Sequence, residues 1–130
     1  MRVFCMFLLA GLLAGCARPA DPDEAEQAVP QFHMALMEKD FAGIYQRADA
    51  ALRADQSQDA FVAYLQKQQA RLGEVRGANR TATQVKGREV TLTYASDYAG
   101  GMATEEFVVR QEEGLPPQIV SYRLLSPALP

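Results

Sequence analysis

The apolar period of this chain changes once, at Gly73, and that switch decides the fold class. Before it, apolar residues recur at helical spacing: Ala25, Ala28, Val29, Phe32, Leu36 and Met37, then Phe41, Ile44, Tyr45 and Ala48, then Phe61, Tyr64, Leu65 and Leu72. After it, residues 74–85, 88–95, 104–111 and 119–125 read as strands, with Val90, Leu92 and Tyr94 sharing one face. Lys86-Gly87, Gly100-Gly101 and Glu113-Gly114 supply the turns between them. Helices first and an antiparallel meander afterwards predict an α+β domain, with about three N-terminal helices packed on a curved four-stranded sheet.

Local chemistry punctuates the helical half. Asp21 is a predicted cap with Pro22 in the first position, and Asp23, Glu24 and Glu26 put negative charge where the helix dipole favours it. Asp40 and Ser57 are predicted to cap the second and third helices, and Gly73 to end the third in a left-handed conformation. Pro30 is expected to kink the first helix or to mark a restart.

The N-terminus carries an address. Arg2 supplies a positive charge, residues 4–13 an apolar stretch, and Leu13-Ala14-Gly15-Cys16 has the form of a bacterial lipobox. The apolar stretch is too short to span a bilayer. The expected organisation is a signal peptide over 1–15, a lipidated cysteine and short tether over 16–22, and a single domain over 23–126. Acyl chains such as palmitate on Cys16 would then hold the domain at a membrane. Ala17, in place of an aspartate after the cysteine, resembles sorting to the periplasmic face of the outer membrane of a Gram-negative bacterium.

Composition narrows the chemistry. Cys5 leaves with the signal and Cys16 carries lipid, so no thiol remains for a disulfide, a nucleophile or a thiolate metal site. One histidine is too few for a multi-imidazole zinc site. The net charge of -3, with Lys and Arg scattered, gives no footprint for nucleic acid. With no glycine-rich phosphate loop either, the chain is expected to use no cofactor and no metal.

The segments Asp40-Phe41-Ala42-Gly43-Ile44-Tyr45, Arg71-Leu72-Gly73-Glu74-Val75, Val90-Thr91-Leu92-Thr93-Tyr94, Thr104-Glu105-Glu106-Phe107-Val108-Val109-Arg110 and Ile119-Val120-Ser121-Tyr122 are laid out in a familiar order. This layout resembles the cone-shaped superfamily of nuclear transport factor two and its cystatin-like relatives, in particular the bacterial domain-of-unknown-function 4019 family. The resemblance implies a curved sheet and helices around a pocket. It also implies that any enzyme built on it would use Asp, His or Tyr side chains projecting inward. A tryptophan often found early in the last strand of such domains is missing, and Leu115-Pro116-Pro117-Gln118 stands in its place.

Candidate catalytic residues are therefore His33, Asp97 and Tyr94, and candidate ligand-binding residues are Tyr45, Tyr64, Tyr98 and Tyr122. Their structural readings compete directly: Tyr64 and Tyr94 fall on apolar stripes, His33 borders the apolar face of its helix, and Asp40 has work as a cap. Glu105-Glu106 and Glu112-Glu113 read as solvated charges, because strand neighbours point to opposite faces. Arg76, Arg80 and Arg88 read as scattered rather than as a basic patch. The apolar runs at 107–109 and 119–120 suggest a sheet covered on both faces, hence a homodimer or an envelope protein partner there. Sparse reactive chemistry favours a non-catalytic domain that binds a partner or small ligand. The alternatives are a cofactor-free isomerase- or dehydratase-like enzyme and a structural envelope-assembly protein.

Overall fold

In the computed structural model, residues 18–127 and 129 are described; the expected signal segment and Cys16 lie outside them. Five helical segments precede four strands. A single turn, α1 (Pro22–Ala25), leads into α2 (Ala28–Met37), followed by α3 (Phe41–Arg47), α4 (Ala50–Asp55) and α5 (Gln58–Leu72). The strands β1 (Val75–Lys86), β2 (Glu89–Tyr98), β3 (Gly101–Arg110) and β4 (Gln118–Leu125) form an open antiparallel sheet in the order β1-β2-β3-β4. The α+β class expected from the change of period is the class observed.

The capping chemistry acts where the sequence places it. The side chain of Asp21 accepts from the Asp23 amide at 2.9 Å, Asp40 from Gly43 at 3.1 Å and Ser57 from Ala60 at 3.2 Å. Gly73 closes α5 at φ 71°, a conformation that a residue without Cβ adopts at low cost. Two expectations need correction. Pro30 neither kinks nor restarts a helix, because it sits in the first turn of α2, where backbone amides have no intrahelical acceptor to lose. The break falls earlier, at residues 26–27, between α1 and α2. There is also a helix the apolar spacing did not reveal, α4, capped by Asp49 through the Ala51 amide at 2.8 Å.

The inner face of the sheet and the helices close over one main core. Val29, Phe32 and Leu36 of α2, Phe41 and Ile44 of α3, and Phe61 and Leu65 of α5 bury against Val90, Leu92, Phe107 and Val109 of the sheet. Each such side chain contributes about 1.5–3 kcal/mol by leaving water. A smaller cluster of Leu72, Tyr98, Ala103 and Leu124 continues the core at the end of the sheet nearest the α5–β1 junction.

Strands β2 and β3 are longer than the sequence pattern implied. Residues 96–98 and 101–103 are paired rather than looped, with Ser96 opposite Ala103 and Tyr98 opposite Gly101. Alternation is kept along both strands. In the third pairing, Val108 faces Ser121 and Val109 faces Ile119, so Val120 is the extra residue of a bulge. The run Ile119-Val120 is therefore a register shift and does not require a covered second face. The outer face carries half-buried Thr91, Thr93 and Val108, together with an Arg123–Glu106 ion pair at 3.5 Å.

Residues ahead of α1 are stitched to the sheet. The Ala20 amide donates to Gly87 O at 3.0 Å, and Arg88 Nη1 donates to Arg18 O at 2.7 Å. The Asp21 amide donates to Gln111 Oε1, and Arg88 Nε to Gln111 O at 2.7 Å. Among the described residues, backbone contacts with the β1–β2 turn thus already occur at Arg18 and Ala20.

Candidate functional site: a buried carboxylate cluster

Strand alternation directs Ala103, Glu105, Phe107 and Val109 of β3 inward. One of these four is a carboxylate. Glu105 is 0 % exposed, which corrects its reading as a solvated charge; only Glu106, on the opposite face, remains partly wet. The same alternation used to separate the two glutamates sends one of them into the core.

An ionised carboxylate removed from water must find its hydrogen bonds inside the protein. Glu105 has four. Its Oε1 accepts from His33 Nε2 at 2.8 Å and from Ser96 Oγ at 2.5 Å, while Oε2 accepts from Tyr98 Oη at 2.9 Å and Tyr122 Oη at 2.6 Å. The donors come from α2, β2 and β4, so this one side chain ties the helical layer to three adjacent strands. Because an ionised carboxylate only accepts, His33 Nε2 carries the hydrogen of that bond. The rings that supply the donors are themselves packed: Phe32 lies 4.4 Å from Tyr122, and Phe107 lies 5.0 Å from Tyr122 and 6.0 Å from His33, centroid to centroid.

The electrostatics follow from this geometry. Burial pushes the Glu105 carboxyl up, but the hydrogen bond and charge of His33, with the Ser96 and Tyr122 hydroxyls, hold it below the usual carboxylate value. Burial, reinforced by the Glu105 charge, pushes the Tyr98 and Tyr122 phenols well above theirs. The cluster is thus stable as one carboxylate surrounded by protonated donors. Every acceptor position of Glu105 that a base would use is already engaged.

The remaining candidates have separate locations. Tyr94 is buried and donates to Glu26 Oε1 at 3.1 Å; burial and that acid push its phenol up. Tyr64 Oη accepts from the Leu124 amide at 3.2 Å, and its half-buried ring packs against the core. Tyr45 Oη donates to Arg53 O at 3.1 Å and Gln56 O at 2.8 Å, binding the end of α4. Asp97 is exposed on β2, on the opposite face from Ser96 and Tyr98, so it shares no cavity with His33 and is corrected as a catalytic partner. Arg80 pairs with Asp23 and Glu26 at 3.5 and 3.4 Å, and Arg88 donates to backbone carbonyls. Among the described residues no group of three His, Cys, Asp or Glu side chains is placed to hold a metal.

Beside the cluster lies a cavity of about 10 Å³, bounded by Tyr98, Tyr122, Leu36, Leu65 and Leu124, large enough for no more than about one water. Two larger hollows lie elsewhere, one of about 500 Å³ lined by Met37, Lys39, Phe41, Gln66, Gln69 and Glu74. A groove of about 450 Å³ runs between α2, α3 and the start of β4, floored by Phe32, Ala35, Ile44 and Ile119 and walled by Pro116 and Pro117. At its polar margin Arg47 pairs with Asp40 at 3.3 Å. None of the tyrosines singled out from sequence lines this groove.

Comparison with known protein families, curated proteins and solved structures returns no match. The chemistry must therefore be judged from the side chains alone. Sequence reasoning found His33, Tyr98 and Tyr122 as separate candidates and missed Glu105, the residue that joins them. The available signal was its phase: Glu105 lies two residues before Phe107 and four before Val109, on the side those residues occupy.

Proposed function

We propose that this protein is a lipid-anchored cell-envelope protein whose single domain is a binding module. The observation that carries the non-catalytic reading is the saturation of Glu105: the histidine, two tyrosines and carboxylate with acid–base potential are committed to one another beside a water-sized cavity. A small-molecule site ordinarily offers about 300–1,000 Å³ with a few polar groups at its margin. The groove between α2, α3 and β4 meets that description, with an apolar floor and the Asp40–Arg47 pair at its edge. The lipobox supports acylation of Cys16, and Ala17 supports the periplasmic face of the outer membrane. The helix-then-meander order is that of the cone-shaped superfamily of nuclear transport factor two and of the domain-of-unknown-function 4019 family, and we include that kinship in the proposal.

Two measurements test the reading. Mature protein from envelopes should carry an acyl mass that Cys16→Ser removes together with membrane association; retention of both by the variant would sink the anchor. Native mass spectrometry of wild-type protein should show an adduct that is lost on filling the groove with Ala35→Phe. An adduct unchanged in that variant would remove the groove from the binding site. The enzyme reading keeps one favourable observation, a carboxylate within 2.6 Å of a phenol, and predicts a reaction abolished by Tyr122→Phe. The assembly reading looks to the outer sheet face, where Met102 and Leu125 are exposed, and predicts crosslinks between copies through it.

A further inference from the structure

The anchor proposed for Cys16 and the stitching of Arg18 together restrict how the domain can stand on a membrane. Only Ala17 separates Cys16 from Arg18, so their Cα atoms, two residue steps apart, are at most about 7 Å from each other. That is comparable with the depth of one headgroup layer. Arg18 is in turn fixed through its carbonyl to Arg88, and Ala20 to Gly87, at the turn between β1 and β2. The loop between β3 and β4 lies at the same end of the sheet, because Glu89 pairs with Arg110 and Arg110 with Gln118. It is locked there by mutual bonds between Arg88 and Gln111.

This end of the sheet presents apolar side chains to solvent. Leu115 is 53 % exposed at the tip of the β3–β4 loop, beside exposed Pro116, and Val85 is 44 % exposed at the end of β1. The exposed charges nearby are slightly acidic: Arg18 and Lys86 against Asp21, Glu112 and Glu113. Such an end is suited to the apolar boundary of a zwitterionic bilayer rather than to a strongly anionic one.

We propose that the β1–β2 turn and the β3–β4 loop seat the domain directly on a zwitterionic lipid bilayer, with Leu115 entering its interfacial layer. The proposal rests on the anchor at Cys16. A tether with one residue between the anchor and Arg18 leaves the domain no long leash, and the side chains at its attached end are the ones a lipid surface would cover. The opposite end, at the β2–β3 turn, faces away from the membrane and carries Met102 as a second exposed apolar residue for comparison.

The test uses the acylated mature chain in phosphatidylcholine vesicles. With Cys5 removed and Cys16 acylated, a cysteine introduced by Leu115→Cys is the only free thiol, and an environment-sensitive fluorophore attaches there alone. Met102→Cys provides the matching label at the far end. The expected result is a blue-shifted emission at position 115, quenched several-fold more by nitroxide-bearing lipid than the label at 102, and unchanged in molar salt. Equal, water-like emission from both labels in protein that floats with the vesicles would overturn the docking and leave the anchor standing. Protein that neither floats nor carries acyl mass would overturn the anchor and the docking together. Leu115→Asp alters a side chain already in water and should leave the fold intact. In that background a label introduced by Val85→Cys should lose at least half of its quenching.

Discussion

Replacing Glu105 by leucine removes the shared acceptor of four donors at once. His33, Ser96 and Tyr98 are buried and Tyr122 is half-buried, so water cannot freely take the place of the carboxylate. A donor left unmatched in such a site costs about 1–3 kcal/mol. Hydroxyls can turn toward one another, so the costs do not simply add, and breaking a buried charged network of this kind typically costs about 3–5 kcal/mol. That is a large fraction of the roughly 5–15 kcal/mol that holds a domain together. With no tryptophan in the chain, circular dichroism is the natural probe, and the midpoint in urea at constant slope reads the loss. The discriminating variant adds His33→Leu, Ser96→Ala, Tyr98→Phe and Tyr122→Phe to Glu105→Leu. Once the carboxylate is gone these changes remove stranded donors, and they should restore at least about 2 kcal/mol, although each is destabilising in the wild-type background. A Glu105→Leu cost below about 1 kcal/mol, or four partner changes that add their full wild-type costs to it, would refute the account of Glu105 as the common acceptor.

The same cluster predicts the pH profile. The folded state holds Glu105 below its unfolded value of about 4.5, so the stabilisation is complete above that pH and declines as acid carries the protein down through the folded value; acid unfolding should be shallower in Glu105→Gln. Tyr98 and Tyr122 are raised, which reverses the sign: their contribution is complete below about pH 10 and is lost above it, and Tyr122→Phe should reduce the alkaline loss seen in thermal melts. Asp49 caps α4 and also accepts from Arg110 Nη1 at 2.8 Å while 5 % exposed, so Asp49→Ala should cost about 2–3 kcal/mol in urea unfolding. A Cβ on Gly100 would stand 2.8 Å from Arg71 O, so Gly100→Ala should cost about 1–3 kcal/mol, whereas Gly77→Ala, with open space around it, should stay within about 0.5 kcal/mol.

What could be read from the chain divides by the range of the interaction responsible. The caps at Asp21, Asp40 and Ser57 act over two or three residues, so residue type and spacing were enough to place them. The four strands announced themselves through alternation, although β2 and β3 run further than expected because Ser96 and Tyr98 are polar or amphipathic residues with inward duties. The helix α4 is six residues long and buries only Leu52, too little to print an apolar period. The carboxylate cluster was the least legible feature. His33 and Glu105 are separated by 72 positions, and their hydrogen bond exists only after α2 has docked on the sheet. The groove depends likewise on the mutual placement of α2, α3 and β4, which no local pattern encodes.

The irregular pairings at the sheet margins bear on self-association. An outermost strand with a long, flat run of free amides and carbonyls invites another chain to extend the sheet. Here β1 is broken by two register shifts, after Val75 and after Arg80, and bears Arg76, Arg80 and Lys86 along its length. On the other side, β4 is preceded by two prolines, and its Ile119 carbonyl is already taken by the Asp49 amide. Neither margin presents an unbroken template, so copies crowded together gain little by strand addition, and crowding alone should not convert them into fibrils.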